Sequence, residues 1–260
     1  MRNKSILFIF LIVMTASVPL VAQSVKGMTF NGATGLITIP SARIGWEKSS
    51  DFGVDLGYHA IMDDPDTTHI SKVSLSMFNI VEAAAAYDSQ ADSDNSDMLF
   101  NAKVQLPLKS SSAVAIGMNY QSLKQYDQDE TATQIYISTT YPGVFFKMPA
   151  ETTVVVGKTF GDIAADENID FGMGFDLLLF PDTFKNIIHW INDFSNFSYS
   201  LQAIGADAGY RGAFNTGIRI DMASIPSLSK FKFVIDAIVT DALDENRAFA
   251  LGGTFGMPIK

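Results

Sequence analysis

Apolar and polar residues alternate with a period of two along most of the chain. In "DFGVDLGYH" (51–59), Phe52, Val54, Leu56 and Tyr58 share one face, while Asp51, Gly53, Asp55 and Gly57 share the other. Val73, Leu75 and Met77 alternate with serines, and Val114, Ile116, Met118 and Tyr120 line one side of 113–120. The clearest case is "NIDFGMGFDLLLF" (168–180): Ile169, Phe171, Met173, Phe175, Leu177 and Leu179 oppose Asp170, Gly172, Gly174 and Asp176. Such a strand meets something oily on one face and something wet on the other. "VEAAAAYD" (81–88) favours helix by alanine propensity. Its neighbours are strand-like and Asn79 marks a tight turn before it, so it is read as a strand.

Further strands are expected at 97–106, 133–141, 152–160, 196–206, 210–222, 230–241 and 246–257. The pattern predicts about twelve, many of them longer than the roughly five or six residues of a globular strand and close to the roughly nine to eleven of a tilted membrane strand. One stretch departs from it. "PDTFKNIIHWINDF" (181–194) places Phe184, Ile187, Ile188, Ile191 and Phe194 at helical spacing, behind a Pro181–Asp182 start. It predicts a short amphipathic helix in a connection. That helix rests at a membrane interface through His189 and Trp190, or packs over a sheet end or inside a barrel.

The fold class these elements predict is all-β: an antiparallel up-and-down transmembrane β-barrel of about twelve strands. Its N-terminus agrees. Arg2 and Lys4 precede an apolar run from Ile6 to Met14, then Ala16, Ser17 and Pro19, with a cleavage point after Ala22. This is the layout of a secretory signal peptide over residues 1–22, with the barrel domain over 23–260. The chain has no cysteine, 20 Phe and 19 Gly, and is 47% hydrophobic. No later apolar run reaches the roughly 18 residues of a spanning helix. A net charge of −10 argues against nucleic acid as a partner.

Charge sorts by the parity of the connections. Those after the odd strands are rich in acids, as in "MDDPDTTH" (62–69), "DSQADSDNSD" (88–97), "GDIAADEN" (161–168) and "DALDEN" (241–246), and together hold 17 of the 28 Asp and Glu. Those after the even strands are small, apolar and proline-bearing, as in "LKSSS" (108–112), "PGVFFKMPAE" (142–151) and "ASIPSLSK" (223–230). In an up-and-down sheet alternate connections share an end, so one end is acidic, and a periplasmic N-terminus turns that end outward. The last strand carries Gly252, Phe255 and Met257 where outer-membrane barrels keep a glycine, alternating apolar residues and a terminal aromatic; Met257 stands in place of that aromatic, and Pro258, Ile259 and Lys260 extend beyond it.

No catalytic constellation rises above background, and no cofactor is implied. His69 with Ser71, Ser74 and Ser76 is the nearest approach to a lipase-like pair, without a surrounding motif. His59 is placed at a strand end. Asp88, Asp92, Asp94 and Asp97 offer hard oxygen ligands for Ca²⁺ but lack the turn glycine and final Glu of an EF-hand, so a solvated acidic loop is expected. Asp55, Glu82, Lys103, Gln105, Asp170, Asp176, Gln202 and Asp236 lie opposite apolar neighbours. In a barrel these residues line the lumen, either pairing with one another to fill it or bordering a narrow polar path.

A short segment ahead of the first strand, "GATGLITIPSA" (32–42), resembles the G-x-x-G-L-I-x-x-P-(S/T)-A stretch near the mature N-terminus of the YjbH-like outer-membrane β-barrel proteins. The matching residues are Gly32, Gly35, Leu36, Ile37, Pro40, Ser41 and Ala42. The resemblance implies an outer-membrane location and, as in some members, a part in exopolysaccharide production or export. The chain lacks a lipobox cysteine and is much shorter than the large members, which fits one barrel without an accessory domain. Within the motif Gly32 and Gly35 permit tight turns or close approach, "LITI" is a short extended piece, and Pro40 ends its pairing. The segment tucks into the barrel or lies along its rim as an edge strand. The expected function is structural or transport, for polysaccharide or a small polar solute, with outer-membrane lipid around it. The alternatives are a lipase-like outer-membrane enzyme and a secreted soluble β-barrel binding an apolar ligand.

Overall fold

A computed structural model describes residues 26–47, 49–63, 66–91, 95–125, 128–161, 169–196, 212–245 and 247–259. The expected signal peptide, Gln202 and nearly all of the strand expected over 196–206 lie outside these residues.

Twelve strands form one closed barrel. They are β1 (Phe52–Asp63), β2 (Asp66–Met77), β3 (Val81–Gln90), β4 (Ser96–Gln105), β5 (Ala113–Gln125) and β6 (Gln128–Phe145), then β7 (Met148–Gly161), β8 (Asp170–Leu178), β9 (Ile188–Ser195), β10 (Ala213–Asp221), β11 (Lys232–Thr240) and β12 (Ala248–Ile259). Each pairs antiparallel with the next, and β1 closes on β12 from Phe52 opposite Ile259 to Met62 opposite Phe249. The up-and-down order places the connections after even strands at one end, here the lower end, and those after odd strands at the upper end.

Two of the lower turns are tight. Phe78 and Asn79 both have positive φ, as do Phe146 and Lys147 between β6 and β7. Two successive left-handed residues match the twist of a hairpin. The Asn79 amide also donates to the Asp51 carboxylate at 2.8 Å.

The ninth strand differs from expectation. Helix α1 is only four residues, Pro181–Phe184, and β9 runs through the segment read as helical. The reason is an ambiguity of pattern. Trp190 and Phe194 point outward, while His189, Ile191 and Asp193 are buried facing inward. Ile191 packs in the interior cluster, so both faces of β9 carry apolar groups and the helical spacing is incidental.

Polarity is inverted relative to a water-soluble protein. Phe52, Leu56, Tyr58 and Met62 of β1 are exposed, as are Ile116, Met118 and Tyr120 of β5 and Phe249, Leu251, Phe255 and Met257 of β12. Arg219 and Lys103 are among the largest fully buried side chains. The outward positions from Phe52 to Met62 span about 33 Å along the strand at ~3.3 Å per residue. At a tilt of ~40° that is a band about 25 Å tall, the height of a bilayer-facing belt. Phe78, Phe146, Phe180, Phe184 and Phe231 sit exposed around the lower rim, and Tyr58, Tyr87 and Tyr120 lie within the belt higher up.

Residues 27–46 are buried without interruption, although they form no named strand. Two isolated bridges, Met28 to Thr34 and Gly35 to Pro40, fold them into a compact loop. Phe30, Leu36, Ile37 and Ile39 of this loop pack with the wall residues Ile61, Ile70, Leu99, Tyr136, Val155 and Ile238. The motif segment therefore tucks inside the barrel and does not lie on its rim.

Candidate functional site

The interior is built from inward positions of all twelve strands and from the loop of residues 26–47, which both enters and leaves at the lower end. Its first described residue, Lys26, pairs with Asp221 at the foot of β10 at 3.0 Å. Near its end, Arg43 donates to the Ser111 carbonyl of a lower connection at 2.6 Å and pairs with Glu151 at 2.7 Å.

The wall grips this loop largely by its backbone. One oxygen of Asp193 accepts three successive N–H groups, from Ile37 at 3.0 Å, Thr38 at 2.7 Å and Ile39 at 3.2 Å. Converging amides of this kind form a nest for an anion. Glu82 accepts from the Thr34 N–H and hydroxyl, each at 2.7 Å, and from the Gly45 N–H at 2.9 Å. Cations take the carbonyls. Arg219 donates to Gly35 and Leu36 at 3.0 Å each, Lys103 to Thr34 at 2.8 Å and Ser41 at 3.0 Å, and Lys72 to Thr29 at 2.9 Å. The Thr140 hydroxyl accepts from the Ala42 N–H at 2.9 Å, and the Asn31 amide donates to Asn119 at 3.0 Å. A loop without strand partners inside a barrel must find such acceptors and donors in the wall, because unpaired backbone groups there are expensive.

The wall charges also pair among themselves. Lys103 meets Glu82 at 3.1 Å, Lys232 meets Asp55 at 2.6 Å, and Arg219 makes a two-pronged pair with Asp236 at 2.8 and 3.1 Å. Asp55 further accepts from the Trp46 indole N–H at 2.9 Å. His189 Nδ1 lies 2.5 Å from Asp176. His59 is buried in the middle of β1 rather than at a strand end, with Nδ1 2.8 Å from Lys72 and Nε2 3.4 Å from Asp236.

Of the candidate lumen residues, Asp55, Glu82 and Lys103 touch the loop directly, and Asp236 acts through Arg219. Asp176 faces His189. Asp170 lies higher, accepting from Gln134 at 2.7 Å and Thr159 at 2.6 Å. Gln105 is half-buried at the lower end of β4. Asp193, Arg219, Lys72 and Lys232 were not anticipated. Arg219 was findable, since it shares the inward face of β10 with Gly217 and Asp221. Asp193 was hidden by the helical reading of its segment.

One expectation about the loops changes. Of the four acids expected in a solvated loop, Asp92 and Asp94 lie outside the described residues, while Asp88 and Asp97 sit opposite each other on β3 and β4, both fully buried. The His69 cluster is split by the pleat. His69 faces outward with its Nδ1 2.5 Å from the Tyr58 hydroxyl, while Ser74 and Ser76 are buried facing inward. Among the described residues no group of three or more His, Asp or Glu is placed to hold a metal ion.

Glycines of the motif and of the wall are set by contact. Gly32 adopts φ +89° against the β3 backbone. A Cβ on Gly35 would lie 2.4 Å from the Ile39 carbonyl and 2.9 Å from Pro40, so only glycine lets the loop close. On the wall, a Cβ on Gly53 would meet the Trp46 ring at 2.3 Å.

No family model and no curated protein matches the chain. Solved structures share its architecture. The KdgM porin superposes with a TM-score of 0.53 at 7% identity, covering 77% of this chain and 98% of that one. A second structure of that porin, in complex with disordered oligogalacturonate, gives 0.53 at 8% identity over the same shares. The NanC porin gives 0.51 at 10% identity, covering 79% of this chain and 100% of that one. The chain has the closed antiparallel barrel fold of these porins.

Proposed function

We propose that this chain is an outer-membrane β-barrel with a transport role, passing a polar solute or polysaccharide along a path that residues 26–47 close. The observation that carries this reading is the inverted polarity: an apolar belt of bilayer height surrounds an interior of buried charges, and those charges hold an internal loop chiefly by its backbone. A structural barrel could fill its lumen with interlocking side chains alone. Here a separate segment, entering and leaving at one end, does the filling.

Several features support the placement. A cleaved signal peptide over residues 1–22 would deliver the chain across the inner membrane, and the acidic upper connections would then face outward. The fold is that of porins, one of them solved with oligogalacturonate. Membership of the YjbH-like family is part of the proposal, since the seven motif residues Gly32, Gly35, Leu36, Ile37, Pro40, Ser41 and Ala42 all belong to the gripped loop.

The test combines membrane fractionation, heat-modifiable gel migration and planar-bilayer recording. The chain is expected in the outer-membrane fraction, with a migration shift on boiling. Wild type is expected to conduct rarely, and Gly35→Val, which breaks the loop from within, to conduct readily. A protein recovered in the soluble periplasm without a heat shift would overturn the barrel reading. Folded Gly35→Val protein as silent as wild type would overturn the transport reading.

A further inference from the structure

We infer that the path through this barrel, once the loop leaves it, is selective for cations, so the solute class it serves is cationic or neutral rather than acidic. This rests on the reading of residues 26–47 as a displaceable closure.

The inference follows from which charges belong to the wall and which to the loop. Among the described strand residues, ten buried carboxylates face inward against four cations, Lys72, Lys103, Arg219 and Lys232. Three of those cations already have wall carboxylates: Lys103 has Glu82, Arg219 has Asp236 and Lys232 has Asp55. Their charge stays largely neutralised with or without the loop. Several carboxylates instead draw compensation from the loop. Asp193 takes three loop N–H groups, Glu151 takes Arg43, and Asp221 takes Lys26. Removing the loop withdraws two cations, one acid (Glu47, which pairs with Arg43 at 3.6 Å) and a nest of amides, a net loss of one positive charge, and takes no wall cation with it. The interior is then left with an excess of negative charge in a passage with low-dielectric walls, where a predominant sign of charge concentrates counter-ions.

The upper interior adds further acidic groups, although two facing carboxyls share about one negative charge between them. Asp88 and Asp97 face each other there, with Asp170 a few strands away, and Gln121 donates to Asp97 at 2.5 Å. A cation meets acids from the outer mouth to the lower rim. An acidic sugar chain would meet a net excess of like charge along that path.

The experiment uses the full chain, with Gly35→Val to free the loop while leaving every wall charge in place. Thr38→Pro, which removes one of the N–H groups on Asp193, is the second opening variant in case the first does not fold. Heat-modifiable migration establishes that each variant is a barrel. Reversal potentials are then measured in planar bilayers under a KCl gradient. The expected K⁺ to Cl⁻ permeability ratio is on the order of threefold or more. Adding Asp193→Asn and Asp221→Asn to the opened variant should bring the ratio down towards unity. A ratio at or below unity in the opened variant overturns the selectivity while the transport reading stands. Two folded variants that conduct no more than wild type overturn both.

Discussion

The carboxylate of Asp193 accepts the backbone N–H of Thr38 at 2.7 Å, joining two residues 155 positions apart in the chain. The neighbouring amides of Ile37 and Ile39 converge on the same oxygen. Because the bond is to backbone, it does not depend on the loop's side chains at those positions. Replacing Asp193 with Ala strands three buried donors at once, each worth about 1–3 kcal/mol when left unmet. Asp193→Ala is expected to destabilise the barrel by about 3 kcal/mol, after some rehydration of the freed amides. The readout is the urea midpoint of the heat-modifiable form. An unchanged midpoint would mean that this contact does not hold the loop.

Arg219 bridges the wall to the loop, pairing with Asp236 on one side and with two loop carbonyls on the other. Arg219→Met removes the two-pronged partner of the buried Asp236 and leaves it His59 at 3.4 Å, and breaking such a pair typically destabilises by about 3–5 kcal/mol. Asp236→Leu in the same chain should recover part of that loss, because neither charge is then orphaned. The recovery is read as the coupling in a double-mutant cycle. Additive losses from the two changes would show that the pair is not coupled.

Much of this architecture was legible in the sequence because a strand with one oily and one wet face writes its period plainly. Asp55 between Val54 and Leu56, and Asp170 before Phe171, reveal their inward direction without any structure. The parity of the acidic connections likewise follows from chain order alone. What escaped was set by contacts distant in sequence. Ile191 packs against the internal loop, so β9 reads as apolar on both faces and its period blurs into a helical one. Asp88 and Asp97 look like solvated acids because nothing local shows that β3 and β4 continue past them. The motif stretch was visible as a family signature. Its position inside the barrel depends on partners such as Asp193 and Arg219, more than 150 residues away.

Gly53 faces the Trp46 ring so closely that a methyl group would sit 2.3 Å from it. Gly53→Ala therefore forces the indole to move, and overpacking of this kind usually destabilises by about 1–3 kcal/mol. Trp46 also donates to Asp55, which holds Lys232, so the displacement should loosen the exit of the loop. More frequent spontaneous openings in bilayer recordings are expected. Openings at the wild-type rate would show that the Trp46 seat is not part of the closure.

The two tryptophans report on opposite sides of the same wall. Trp46 is buried in the loop, whereas Trp190 stands on the outer face of β9 against Phe175, with its N–H on Thr216 at 2.8 Å. An indole on the belt meets lipid, and one inside the barrel is screened from it. In liposomes containing brominated lipid, Trp46→Phe protein, which keeps only Trp190, should be strongly quenched. Trp190→Phe protein, which keeps only Trp46, should be nearly unaffected. Acrylamide in the aqueous phase should reach Trp46 little in wild-type background and more when Gly35→Val is added. Equal lipid quenching of both tryptophans would contradict the inside–outside assignment of β9 and of the loop together.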